Sequence, residues 1–147
     1  MENKTSVSKT GIQLVLEFLD RVWHPPHDLN AIDELMTEDY KIVTGGREIH
    51  GRTAFKEWVN NFQLLLLNAS TDSKDIFMDL SGSKVVSRWV CSGYNNGIFG
   101  LKANGQFLSF TGIAIWEVRH NRLAACWVER SAWELYQTLL SETSEQK

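Results

Sequence analysis

Residues 107–140 read FLSFTGIAIWEVRHNRLAACWVERSAWELYQTLL. Two long runs rich in β-branched and aromatic residues, 107–118 and 123–130, flank His120-Asn121, a pair that marks a tight turn. From residue 131 the spacing changes: Trp133, Leu135, Tyr136 and Leu139 recur at helical intervals. The stretch therefore reads as two long antiparallel strands closed by a helix.

Upstream, residues 84–95 form another strand-like run, and Asn104-Gly105 is a hairpin signal between it and residue 107. Before the Ser81-Gly82-Ser83 turn, Ile76, Met78 and Leu80 alternate with Phe77 and Asp79, the period of a strand that begins near Lys74. Residues 52–67 are helical, with Phe55, Trp58, Val59, Phe62, Leu65 and Leu66 at intervals of three and four. Residues 40–50 are extended and broken by Gly45-Gly46. A short helix is predicted over 30–36. Residues 12–23 place Ile12, Val15, Leu16, Leu19, Val22 and Trp23 on one stripe. Thr10 and Gln13 have the spacing of a capping box, and Pro25-Pro26 stop that helix. Helices, a hairpin, a helix and four meandering strands make an α+β domain over residues 10–140, with flexible tails at 1–9 and 141–147. A curved antiparallel sheet wrapped around the helices leaves a cavity at its open end, the default ligand site.

The chain has 147 residues, with 15 basic and 18 acidic side chains and a net charge of −3. That balance argues against nucleic acid as a partner. No run approaches the ~20 apolar residues of a membrane helix, and residues 1–10 lack a signal-peptide core. Cys91 and Cys126 form no CxxC pair and read as buried free thiols, which places the protein in the cytoplasm. The Asn68-Ala69-Ser70 sequon then has no role. His24, His27, His50 and His120 show no metal-ligand spacing, so no metal is expected. Aromatics are abundant: six Trp, seven Phe and three Tyr.

The segments GYNNGIFG and ANGQFLSFTGIAIWEVRHNRLAACWVERSAWELYQTL, with NAIDELMTEDY (30–40) and GREIHGRTAFKEWV (46–59), resemble the SnoaL-like polyketide cyclases of the NTF2-like superfamily. The resemblance covers roughly residues 10–140. It implies a cone-shaped α+β barrel with one deep pocket, a homodimer, and no cofactor. It also implies a cyclase or isomerase acting on a hydrophobic, polyketide-like substrate. Two positions depart from the family. Its histidine after Gly-Thr falls at Asn95, and its aspartate falls at Ser131; neither side chain titrates usefully near neutral pH. The chain also resembles the limonene-epoxide-hydrolase-like branch, whose water-activating arginine falls at Arg88 and one carboxylate at Glu129, while the other position is Val90.

Strand alternation puts Trp127, Glu129 and Ser131 on one face. With that face toward the pocket, Glu129 is the general base and Arg88 its orienter or an oxyanion partner. Tyr40 and Asn95 are hydrogen-bond donors to a substrate oxygen, and Tyr94 lies beside Asn95 at a strand end. Trp58, Trp89, Phe110 and Trp127 shape a site for a flat apolar ligand, with Ser131 at its edge. Water addition by Arg88 and Glu129 is one alternative. A non-catalytic small-molecule binder on the same fold, motivated by Asn95 and Ser131, is another. A homodimer is expected through the outer face of the long strands, with Trp89 or Trp116 turned outward.

Overall fold

Thr10 starts the first helix as its spacing predicts: its hydroxyl accepts from the Gln13 amide at 3.1 Å, and the Gln13 side chain accepts from the Thr10 amide at 2.8 Å. The computed structural model describes residues 9–145, in the order α1 (Gly11–Val22), α2 (Ala31–Leu35), β1 (Met36–Thr44), β2 (Arg47–His50), α3 (Arg52–Leu65), β3 (Leu66–Met78), β4 (Lys84–Asn95), β5 (Phe107–Arg119), β6 (Arg122–Arg130) and α4 (Ala132–Glu145). Residues 1–8 and 146–147, parts of the expected tails, lie outside the described residues. The rest of the expected C-terminal tail is helical to Glu145.

The buried face of α1 is Gly11, Leu14, Val15, Phe18, Leu19 and Val22. Leu16, placed on the core stripe by its spacing, is instead 43% exposed. Leu14 and Phe18 are apolar too, so two overlapping stripes compete, and packing against the sheet selects between them. Arg21 ties α1 to α2: its two Nη atoms each donate to Glu34 at 3.0 Å, and Nη2 also donates to Asp28 at 2.8 Å.

One six-stranded sheet has the order β2-β1-β6-β5-β4-β3. It is mixed: β1 runs parallel to β6, where a wholly antiparallel sheet was expected. The β1–β2 hairpin and the meander are each antiparallel, and no local turn encodes the direction in which one docks on the other. The structure also ends α3 at Leu65 and starts β3 at Leu66, eight residues before the visible alternation. A register shift between Leu67 and Ser70, with Asn68 at φ 56°, obscures the period there. Tyr94 pairs with Phe107, but the β4–β5 connection is the longer segment 96–106, not a tight hairpin at Asn104-Gly105.

The sheet's inner face carries Val85, Ser87, Trp89 and Cys91 on β4, with Leu108, Phe110, Ala114 and Trp116 on β5, all buried. Cys126 and Val128 continue that face on β6. Both Trp89 and Trp116 thus face the core, so neither turns outward to a dimer contact. The outer face carries Ile113, Ile115 and Trp127, which are 52%, 40% and 36% exposed.

Gly112 is the register partner of Trp89, and a Cβ built at Gly112 would sit 2.2 Å from the indole Cζ2. The missing side chain lets the indole lie across β5. Gly112→Ala is expected to cost about 1–3 kcal/mol by overpacking, lowering Tm by roughly 2–4 °C per kcal/mol. The loss shrinks in a Trp89→Phe background, because the clashing benzo carbons are gone. Equal losses in both backgrounds, by calorimetry, contradict this packing account.

Candidate functional site

Between α1, α3 and the inner sheet face lies an open-mouthed cavity of about 70 Å³, measured as the space open to water-sized centres. One wall is a file of rings. Positions 55, 58 and 62 of α3 share a face, so Phe55 stacks on Trp58 at 6.2 Å and Trp58 on Phe62 at 5.7 Å. Phe62 then meets Phe110 edge-on at 6.3 Å, and Phe110 meets Trp89 at 5.8 Å.

The floor is more polar. Tyr40 of β1 and Trp116 of β5 both line the cavity, and Trp116 is the register partner of Cys126 on β6. The Tyr40 hydroxyl and the Trp116 Nε1 are buried, and neither has a hydrogen-bond partner among the described residues. Trp116 and the Cys126 thiol are close enough to perturb the Tyr40 proton without completing such a bond. Burial, reinforced by Cys126, pushes the phenol well above its ordinary pKa, so Tyr40 stays protonated and serves as a donor. Burial likewise pushes the Cys126 thiol up to about 12 and the Cys91 thiol up to about 11, partly offset at Cys91 by Thr71. Both are inert at neutral pH.

Arg130, at the end of β6, also lines the cavity. Its Cζ lies 5.6 Å from the Trp58 ring centroid and 5.7 Å from that of Phe62. Its register partner is Gly112, over whose bare Cα the Trp89 indole lies. Burial lowers its pKa, against the Cys91 and Glu129 charges that raise it. Among the described lining residues there is no carboxylate and no imidazole. Nor do the described residues contain a His, Cys, Asp or Glu group able to hold a metal ion.

The structure therefore sorts the residues singled out by sequence. Tyr40, Trp58, Trp89 and Phe110 line the cavity together. Glu129 and Trp127 do share a face, but it is the outer one: both are exposed, while Cys126, Val128 and Arg130 point inward. Arg88 is on that outer face as well, donating from Nε to Asp75 at 2.7 Å. Arg88 and Glu129 flank Ile113 from the neighbouring strands and do not meet in the pocket. Tyr94 packs outside against Phe107 at 5.3 Å. Asn95 is buried and saturated. Its Oδ1 accepts from the Gly97 and Ile98 amides, and its Nδ2 donates to Lys102 O and Asn104 Oδ1. Ser131 Oγ accepts from the Thr111 amide at 2.9 Å, bracing the β5–β6 end. Sequence reasoning passed over Arg130 as a site residue. Its only signal is its position two residues after Val128, on the face opposite Glu129.

The SnoaL-like polyketide cyclase family pattern matches residues 13–139. No curated protein matches the sequence. Many solved structures share the fold. One is a provisionally assigned polyketide cyclase from Acidithiobacillus ferrooxidans, with 22% identity, TM-score 0.79, and coverage of 92% of this chain and 98% of that one. Another is IdmH from Streptomyces antibioticus, likewise provisionally assigned as a polyketide cyclase, at 18% identity and TM-score 0.76, covering 89% and 99%. A SnoaL-like polyketide cyclase from Agrobacterium tumefaciens gives 14% identity and TM-score 0.73, covering 89% and 98%. At these identities the likeness establishes the fold. No helix among the described residues is long and apolar enough to cross a membrane.

The thiol shifts carry a sign. A folded-state pKa above the unfolded value (about 8.5) contributes stability that is complete below that value. It is lost as pH rises through the folded pKa, here about 11 and about 12. Wild-type Tm is therefore expected to fall more steeply between pH 9 and 11 than that of the Cys91→Ala/Cys126→Ala double variant. Each thiol contributes at most about 1.4 kcal/mol per pH unit. Parallel pH profiles would show that burial does not hold these thiols protonated.

Proposed function

The chain belongs to the SnoaL-like polyketide cyclase family, and from that premise we propose that its aromatic cavity binds a flat, hydrophobic, oxygenated small molecule of polyketide-like or polycyclic type and promotes its cyclisation or isomerisation without a cofactor. One observation carries this reading: Tyr40 Oη and Trp116 Nε1 are buried donors without hydrogen-bond partners among the described residues, and both residues line an apolar cavity. A carbonyl oxygen placed there gains two hydrogen bonds that the empty protein lacks, and they strengthen as that oxygen becomes negative. The rings of Trp58, Phe62 and Phe110 hold the carbon skeleton in one folded pose. No lining side chain is a conventional base, so water takes the proton lost from carbon, in solution or at the mouth. Arg88 and Glu129 face away, and water addition through them is not part of this reading.

The absence of a carboxylate or imidazole from the described lining residues also favours a second reading, retention of the same ligand without conversion. Native mass spectrometry of the purified protein, with identification of anything extracted, is the direct test. A polycyclic or polyketide-like molecule is expected. Incubation of its precursor or analogues with the protein then separates turnover from storage. Tyr40→Phe is expected to leave the unliganded Tm unchanged or raised, since no hydrogen bond is lost, and to weaken the ligand by about tenfold. Glu129→Gln is expected to bind normally. The opposite pattern, with Glu129→Gln impaired and Tyr40→Phe unaffected, refutes the site.

We also infer a cytoplasmic homodimer. Ile113, Ile115 and Trp127 form an exposed apolar patch, with Arg88 and Glu129 on either side of Ile113. An exposed apolar patch on the face of the long strands is a seat for self-association. Ile115→Asp is expected to convert the dimer to a folded monomer in sedimentation velocity. A wild-type monomer at tens of micromolar, or a dimer unaffected by the substitution, removes this interface.

A further inference from the structure

Arg130 has no ion pair and no side-chain hydrogen bond among the described residues, yet it is drawn into the cavity wall by Trp58 and Phe62. The other arginines with described side-chain partners behave differently: Arg21, Arg52, Arg88 and Arg119 each pair with a carboxylate. Cation–π contact satisfies the face of a guanidinium but leaves its in-plane N–H donors without acceptors. A half-buried cation with free donors is costly unless an anion arrives. The surroundings select what arrives. The protein carries a net charge of −3, so its surface does not gather anions generally. The aromatic rings beside Arg130 accept only a flat skeleton.

We infer that the cavity takes an acidic ligand: a planar ring system whose carboxylate or enolate oxygen is held by the Arg130 fork while a neutral carbonyl or hydroxyl reaches the Tyr40–Trp116 floor. Trp116 pairs with Cys126 and Gly112 with Arg130, four residues along β6. At about 3.3 Å per residue these two backbone positions stand ~13 Å apart along the strand, so the two polar groups enter the cavity from different points along it. The deepening rests on the small-molecule reading above. It adds that the ligand's negative charge is present on binding, so Arg130 stabilises an anion that no side chain has to create. An enolate held in this way is the nucleophile that ring closure requires, and the fork spreads over both its resonance oxygens when a second carbonyl is adjacent.

The test compares two probes of one shape, 2-naphthoate and its neutral counterpart 2-naphthamide, by isothermal titration calorimetry on wild type, Arg130→Gln and Arg130→Lys. Wild type is expected to prefer the anion by about tenfold or more. The preference should persist at about 0.5 M salt, where surface attraction is screened. Arg130→Gln abolishes the preference while keeping the amide affinity within about twofold, and Arg130→Lys retains part of it. If wild type binds both probes equally, or Arg130→Gln weakens both alike, Arg130 is only a piece of wall and the inference is overturned while the binding reading stands. If neither probe binds wild type and no molecule is extracted from it, both fail. Should Arg130→Gln not fold, the wild-type and Arg130→Lys comparisons still decide.

Discussion

The chemistry of this protein depends on strand parity. In β6 the side chains alternate, and pairing of Trp116 with Cys126 and of Gly112 with Arg130 locks that alternation to the inner face of β5. A register slip of one residue would move every side chain of the strand to the other face. Glu129 would then enter the cavity and Arg130 would leave it, exchanging a potential base for a cation. Burial enforces the observed choice. Val128 and Cys126 fill the core beside Ile42 and Thr44 of β1, and the indole of Trp116 has space only on the inside. The functional charge of the pocket is thus a by-product of hydrophobic packing along a neighbouring strand.

That dependence explains what the sequence could and could not reveal. Local signals were readable because they act over a few residues: the Thr10–Gln13 capping box and the turn at His120 and Asn121, two residues at positive φ, appear as their chemistry dictates. Parity itself was also readable, since Trp127 and Glu129 do share a face. The choice of face was not. β6 buries Leu123, Ala124, Ala125 and Cys126 in succession, and β5 places Ile113 and Ile115 outside with Ala114 and Trp116 inside. With apolar residues on both sides, no hydrophobic alternation identifies the core side. Direction was hidden for a similar reason: parallel docking of β1 on β6 joins segments some 80 residues apart, beyond any turn signal.

The two positions where the family's titrating residues were expected have acquired structural work. Asn95 uses all its described amide contacts to hold the 96–106 segment, and Ser131 fixes the β5 edge through Thr111. A histidine at 95 could not accept from Gly97 and Ile98 while donating to Lys102 and Asn104, because an imidazole lacks a carbonyl-like acceptor with two lone pairs. Asn95 and the conformation of that segment are therefore linked. A histidine placed at residue 95 alone would break that set of contacts.

Among the described residues, fully buried side-chain polar atoms other than two have hydrogen-bond partners. Ser87 pairs with Ser73 at 2.7 Å, and Asn95 is saturated. The exceptions, Tyr40 Oη and Trp116 Nε1, belong to residues that line one cavity with an arginine that has no ion pair among the described residues. Packing alone would favour Phe at position 40 and a simple aliphatic at 130, since unpaired buried donors are destabilising. Their concentration at a single concave site locates the instability where a ligand can relieve it. Each of the three offers a donor and none carries negative charge at neutral pH; the Tyr40 oxygen can also accept, but burial keeps its proton on. Donors aimed at a substrate oxygen become more complementary to it as negative charge on that oxygen grows. In the proposed site the fold supplies the aromatic container, and these three side chains would set the polarity of what it holds.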